Sequence, residues 1–180
     1  MKISQKWLIV CFYSICIFIF TPYLPQLIRV VSSQWSSSLA SSFVLGVEII
    51  IGLLVLFSAI NFIIYKKKKS ILFFFSILGI LLLSIIIYQF NPNPYEFTHL
   101  PEYAILSVLI VRALDKKRRS GLFLLKNSYF LSGLITAVIG TGDEIYQHFL
   151  PTRHFAWYDI LLNILGGILG LLILWGTRNR

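Results

Sequence analysis

Apolar runs about as long as a bilayer is thick, separated by short clusters of lysine and arginine, constrain this chain more than any other feature. A helix rises about 1.5 Å per residue, so ~20 apolar residues cross the ~30 Å of hydrocarbon in a membrane. Such runs recur along all 180 residues, and 57% of the side chains are apolar. No soluble core of this size could bury them. The expected fold is therefore all-α: a polytopic helical membrane protein whose first partner is the lipid bilayer. The net charge of +9 would elsewhere point to nucleic acid or an anionic surface. Here the charge sits in short clusters between apolar runs, the pattern of cytoplasmic loops, which argues against nucleic acid.

Six spans are expected: Trp7–Phe20 (reaching towards Leu27, with Pro22 and Pro25 bending or ending it), Phe43–Tyr65, Ile71–Phe90, Phe97–Leu114, Leu122–Ile139 continuing as helix into Glu144–Phe149, and Trp157–Trp175. They divide into an N-terminal pair within residues 1–70 and a four-helix unit within residues 71–176. Lys2 and Lys6, Lys66–Lys69, Lys116–Arg119, and Arg178 with Arg180 then all fall on one side, which the positive-inside rule makes cytoplasmic. Both termini follow them inside, in a multi-pass protein of the plasma membrane. Lys2, Lys6 and the run from Trp7 also imitate a signal peptide, with Ser38-Leu39-Ala40 as its cleavage site. About twenty residues separate that site from the apolar run, so the first helix is expected to be retained. Cys11 and Cys16 lie on different faces of that helix and read as buried, apolar-like thiols.

Of the seven acidic residues, all but Asp115 take the opposite side. Glu48, Glu96, Glu102, Asp143, Glu144 and Asp159 map to the outer face, joined by Arg29 and Arg153. After the helix-stopping Asn91-Pro92-Asn93-Pro94, the residues Glu96, His99 and Tyr103 fall at i, i+3 and i+7 and share a helix face. Pro101 is best tolerated in a first turn, so the fourth helix should begin near His99 or Leu100. A second group is denser. Asp143 with Gln147, and Glu144 with His148, are i, i+4 pairs, and Arg153 follows Pro151. Asp159, Asn163, Gly166 and Gly170 form one stripe on the last helix, whose glycines admit a close neighbour. Carboxylates at membrane depth are costly without partners, and Arg153 is the expected counter-charge. Helix capping and interhelical polar contacts would account for the same residues without any ligand.

The series Glu96-x-x-His99-x-x-x-Tyr103-x-x-Leu106, then Asp143-Glu144-x-x-Gln147-x-x-x-Pro151-x-Arg153, then Asp159-x-x-x-Asn163-x-x-Gly166-x-x-x-Gly170, resembles the VanZ-like family of small bacterial membrane proteins. The resemblance runs from about Phe73 to Trp175 and is strongest after Gly142. Thr152 stands where a Gly commonly precedes the Arg, and Glu96 where many members carry a Lys. The resemblance implies a cell-envelope protein, and the family's namesake is associated with resistance to the glycopeptide teicoplanin. It implies no reaction.

Three functions stay open on these residues. An outer polar pocket of Glu96, His99, Tyr103, Asp143, Glu144, Gln147, Arg153, Asp159 and Asn163 would hold a lipid head group or a lipid-linked cell-wall precursor. Alternatively, the chain is a membrane-embedded enzyme acting on a lipid-linked substrate, with Glu144 or His99 as general base and Arg153 holding a phosphate. A proton or solute path is the third, and the lack of a polar relay in the inner halves of most spans speaks against it. His99, His148 and His154 match no metal-binding spacing, so neither metal nor cofactor is assigned. Gly166 and Gly170 fit packing within one bundle and packing between two chains equally well, leaving the oligomeric state open.

Overall fold

Helix-forming sequence with proline only at its borders gives five helices and no strand among the described residues of the computed structural model. Those residues are 5–20, 70–90, 98–119, 128–151 and 153–178, with isolated positions between 23 and 53. The helices are α1 (Gln5–Phe20), α2 (Ser70–Phe90), α3 (His99–Arg119), α4 (Ser128–His148) and α5 (Trp157–Arg178). Apart from isolated positions, the expected span Phe43–Tyr65 lies outside the described residues, as do Glu96 and Thr152.

The helix ends follow local chemistry. α3 starts at His99 with Pro101 in its first turn, where the missing amide costs nothing, and Glu102 suits the positive end of the helix dipole. It runs past the expected end at Leu114 to Arg119, because lysine and arginine are good helix formers and need no apolar neighbour. α4 continues beyond Ile139 to His148, in line with the expected continuation of this helix into Glu144–Phe149. Its last turn closes through Phe149 N–H to Tyr146 O (3.0 Å) and Leu150 N–H to Gln147 O (3.0 Å), just before Pro151. Asp159 N–H to Ala156 O (3.0 Å) opens α5.

α3 lies centrally and touches α1, α4 and α5, while α5 touches α2, α3 and α4. Ile77, Ile80, Ile87, Leu100, Leu162, Leu165 and Leu169 pack α2 and α3 against α5. Val10, Ile17, Tyr103, Leu106, Ile110, Ala113 and Leu114 pack α1 against α3. The α3–α5 pair is the closest. A Cβ at Gly166 would stand 2.6 Å from Leu100 O, and one at Gly170 would run into Ala104 O and stand 2.5 Å from Ser107 Oγ. Backbone therefore meets backbone, which only small residues permit.

α4 is polar inward and apolar outward. Its buried face is Ser128, Ser132, Thr136, Gly140, Asp143, Glu144 and Gln147, whereas Phe130 (71% exposed) and Val138 (65% exposed) point away. Ser132 Oγ donates to Ser107 O at 2.7 Å, tying α4 to α3. Among the described residues, Trp157–Gly176 is the one helix long and apolar enough to cross a membrane by itself. Gln5–Phe20 and Phe75–Ile87 are apolar but shorter.

Candidate functional site

Because α3, α4 and α5 alternate in direction, the N-terminal ends of α3 and α5 flank the C-terminal end of α4. α3 brings His99 and Tyr103, α4 brings Asp143, Glu144 and Gln147, and α5 brings Asp159 and Asn163. None of these seven side chains is more than 4% exposed.

Asp143 and Glu144 are organised by neutral donors. Tyr103 Oη donates to Asp143 Oδ2 at 3.2 Å, and Gln147 Nε2 reaches both that oxygen (3.3 Å) and Glu144 Oε1 (2.9 Å). Asn163 Nδ2 donates to Gly140 O at 3.2 Å, one turn below the acids. Gly140 is required there: a Cβ would lie 2.7 Å from Asn163 Cβ and 3.1 Å from Tyr103 Cε1. The His99 and Tyr103 rings lie 6.1 Å apart. One donor atom each from His99, Asp143 and Glu144 falls within 4.8 Å of the other two. Asp159 is near enough for its charge to act on Glu144. Glu144 Oε2 and Asn163 Oδ1 are buried and accept no hydrogen bond. Three carboxyls and one imidazole buried this closely need partners, since lone buried charges are strongly unfavourable.

Of the nine residues expected in one outer pocket, these seven pack against one another as a closed cluster instead of lining an open space. Glu96 lies outside the described residues. Arg153 stands half-buried at the rim, in an open hollow of about 690 Å³ that it lines with Ile145, His148, Phe149, His154 and Phe155. His148 meets Phe149 and Phe155 edge-on, with ring centres 5.5 and 6.4 Å away. The hollow and the cluster back onto each other through the last two turns of α4.

The stripe on α5 also divides. Gly166 and Gly170 face the α3 backbone, but Asn163 faces Gly140 of α4. Positions three apart on a helix differ by ~60° around its axis, enough to reach two neighbours when a helix nests between them. The sequence reading missed Gly140, Ser107, Ser132 and Thr136. For the three on α4 a signal was available: Ser128, Ser132, Thr136 and Gly140 recur every four positions along the helix.

Comparison with known proteins gives one result. The family model described as VanZ/LLP1 matches residues 9–178, so the similarity begins inside α1 instead of near Phe73 and takes in nearly the whole chain. No curated protein and no solved structure matches.

Proposed function

The chain belongs to the VanZ/LLP1 family, and from that premise we propose that it is a multi-pass protein of the bacterial cell membrane that binds the head group of an anionic, lipid-linked molecule at its outer rim. The rim hollow carries this reading. Arg153 and two imidazoles stand there beside Ile145, Phe149 and Phe155, an arrangement that matches a phosphate head group joined to an acyl or polyprenyl chain. A guanidinium holds phosphate through two parallel hydrogen bonds, and exposed aromatic rings suit the membrane interface. Trp157, 55% exposed at the start of α5, belongs to the same belt.

Membrane insertion is supported by the inverted polarity of α4 and by large apolar side chains exposed along α1, α2 and α4, among them Phe12, Phe75, Ile86 and Phe130. Water would not tolerate such a surface, and lipid does. Contacts between ends support the topology. Lys6 Nζ donates to Arg112 O (3.2 Å), pairing the start of α1 with the inner end of α3, while Phe18 meets Tyr146 at the outer end of α4. α1 and α2 then run in the same sense, because Phe90 connects to His99 by a stretch too short to recross the bilayer. One further crossing between them gives six spans, both termini in the cytoplasm, and the cluster and hollow outside.

A role in glycopeptide susceptibility follows if the bound molecule is the precursor that such antibiotics meet. Buried His99 beside Asp143 and Glu144 also suits acid–base chemistry on a lipid-linked substrate, yet those groups are closed off while the hollow is open, so binding at the rim is the better-supported reading. The test is native mass spectrometry of the protein released from mild detergent. An anionic lipid bound to wild type and absent from Arg153→Lys is expected. Wild type carrying neutral lipids alone would end the proposal.

A further inference from the structure

His99, Asp143 and Glu144 lie on two helices that the sequence does not bring together, and their donor atoms converge within 4.8 Å. All three are buried, at 4%, 0% and 0% exposure. We propose that they bind a single divalent cation of the Mn²⁺ or Zn²⁺ kind, a site separate from the rim hollow and independent of what the hollow binds.

The donor set fits. One imidazole nitrogen and two carboxylate oxygens are ligands shared by zinc and manganese, whereas a purely oxygen set would favour calcium or magnesium. Around a tetrahedral ion with bonds of about 2.0–2.2 Å, donors sit about 3.3–3.6 Å apart. The present spread needs a closing movement of about 1 Å, within reach of side-chain torsion alone.

The surroundings fit as well. Ligating carboxylates are themselves held by outer hydrogen bonds. Tyr103 Oη and Gln147 Nε2 both donate to Asp143 Oδ2 and so turn that carboxylate to a fixed angle. Gln147 occupies Glu144 Oε1 and leaves Oε2, buried and without a hydrogen bond, as the oxygen available to an ion. Asp159 adds a further negative charge nearby, which a bound cation would offset.

The test uses full-length protein in detergent, stripped with a chelator, dialysed, and titrated with Mn²⁺ and Zn²⁺; Co²⁺ serves as a spectroscopic probe. Wild type should bind one ion per chain and melt higher with it. Glu144→Gln and His99→Asn should abolish that binding, and His99→Asn should remove the imidazole contribution to the Co²⁺ spectrum. Tyr103→Phe, which keeps all three ligands, should weaken binding about 10- to 100-fold. Arg153→Lys should bind as wild type does. Wild type that takes up no ion overturns the proposal whatever the variants do. So does binding that survives Glu144→Gln unchanged. If that variant does not fold, unweakened binding by Tyr103→Phe decides against the site in its place.

Discussion

Asp143, Glu144 and Gln147 share the end of α4 with Ile145, His148 and, in the turn that closes it, Phe149, yet the two sets live in opposite environments. Glu144 is 0% exposed and Phe149 is 76% exposed. The buried set is held from three helices by hydrogen bonds, on backbones that glycine contacts bring close together. The outer set is held by its own helix turn and by ring contacts with the following loop. A helix that is polar inward and apolar outward lets the two stand back to back: one suited to a small ion in a fixed cage, the other to a larger ligand that arrives with its own hydrocarbon.

The comparison breaks most completely if the two regions are not on the outer face. In a chain with Cys11 and Cys16 replaced, Phe149→Cys should label fully with an impermeant thiol reagent applied to intact cells. Arg112→Cys, at the opposite end of the bundle, should not label at all. Labelling of Arg112→Cys from outside would overturn the topology.

Gly170→Leu should have the largest effect on stability. Overpacking typically costs about 1–3 kcal/mol, and here the obstacle is the Ala104 carbonyl, which cannot rotate away. Thermal melting should show a clearly larger loss than for Ile168→Ala on the exposed side of the same helix. Leu171 would be a poorer control, because its Cδ1 lies 3.4 Å from where a Cβ on Gly133 would be. Equal losses for Gly170→Leu and Ile168→Ala would mean that α3 and α5 are not in backbone contact.

Gly140→Ala comes next, at roughly 1–3 kcal/mol, because its Cβ meets Asn163 and Tyr103. Unlike Gly170→Leu, it should also weaken ion binding, since Tyr103 orients Asp143. A stability loss with ion affinity untouched would separate the packing of Tyr103 from its role at the cluster. Phe155→Ser should have the smallest effect on melting, within about 0.5 kcal/mol, while lowering the amount of bound lipid.

Much of this was legible in the chain itself. Pro101 after Asn91-Pro92-Asn93-Pro94 marks the start of α3 to within a residue or two, and the i, i+4 pairs at 143–148 place the acids on one helical turn. What escaped is tertiary. Ser132, Thr136 and Gly140 carry little hydropathy of their own, so an apolar helix hides its polar seam. No spacing rule joins His99 to Glu144, because it is the antiparallel run of α3 and α4 that brings them together. The turn after Pro151 places Arg153 in the rim hollow with His148 and Phe155, a neighbourhood that no spacing rule foretells.

The separation of ion cluster from rim hollow is tested most directly by measuring melting temperature and co-purified anionic lipid on the same preparations of wild type, Glu144→Gln and Arg153→Lys. Arg153→Lys should melt within ~2 °C of wild type and lose its lipid, because lysine keeps the charge but not the two-pronged contact. Glu144→Gln should shift the melting temperature and its response to divalent ions while keeping the lipid. If lipid and stability fall together in both variants, the two regions are one structural network and the binding site at the rim does not exist.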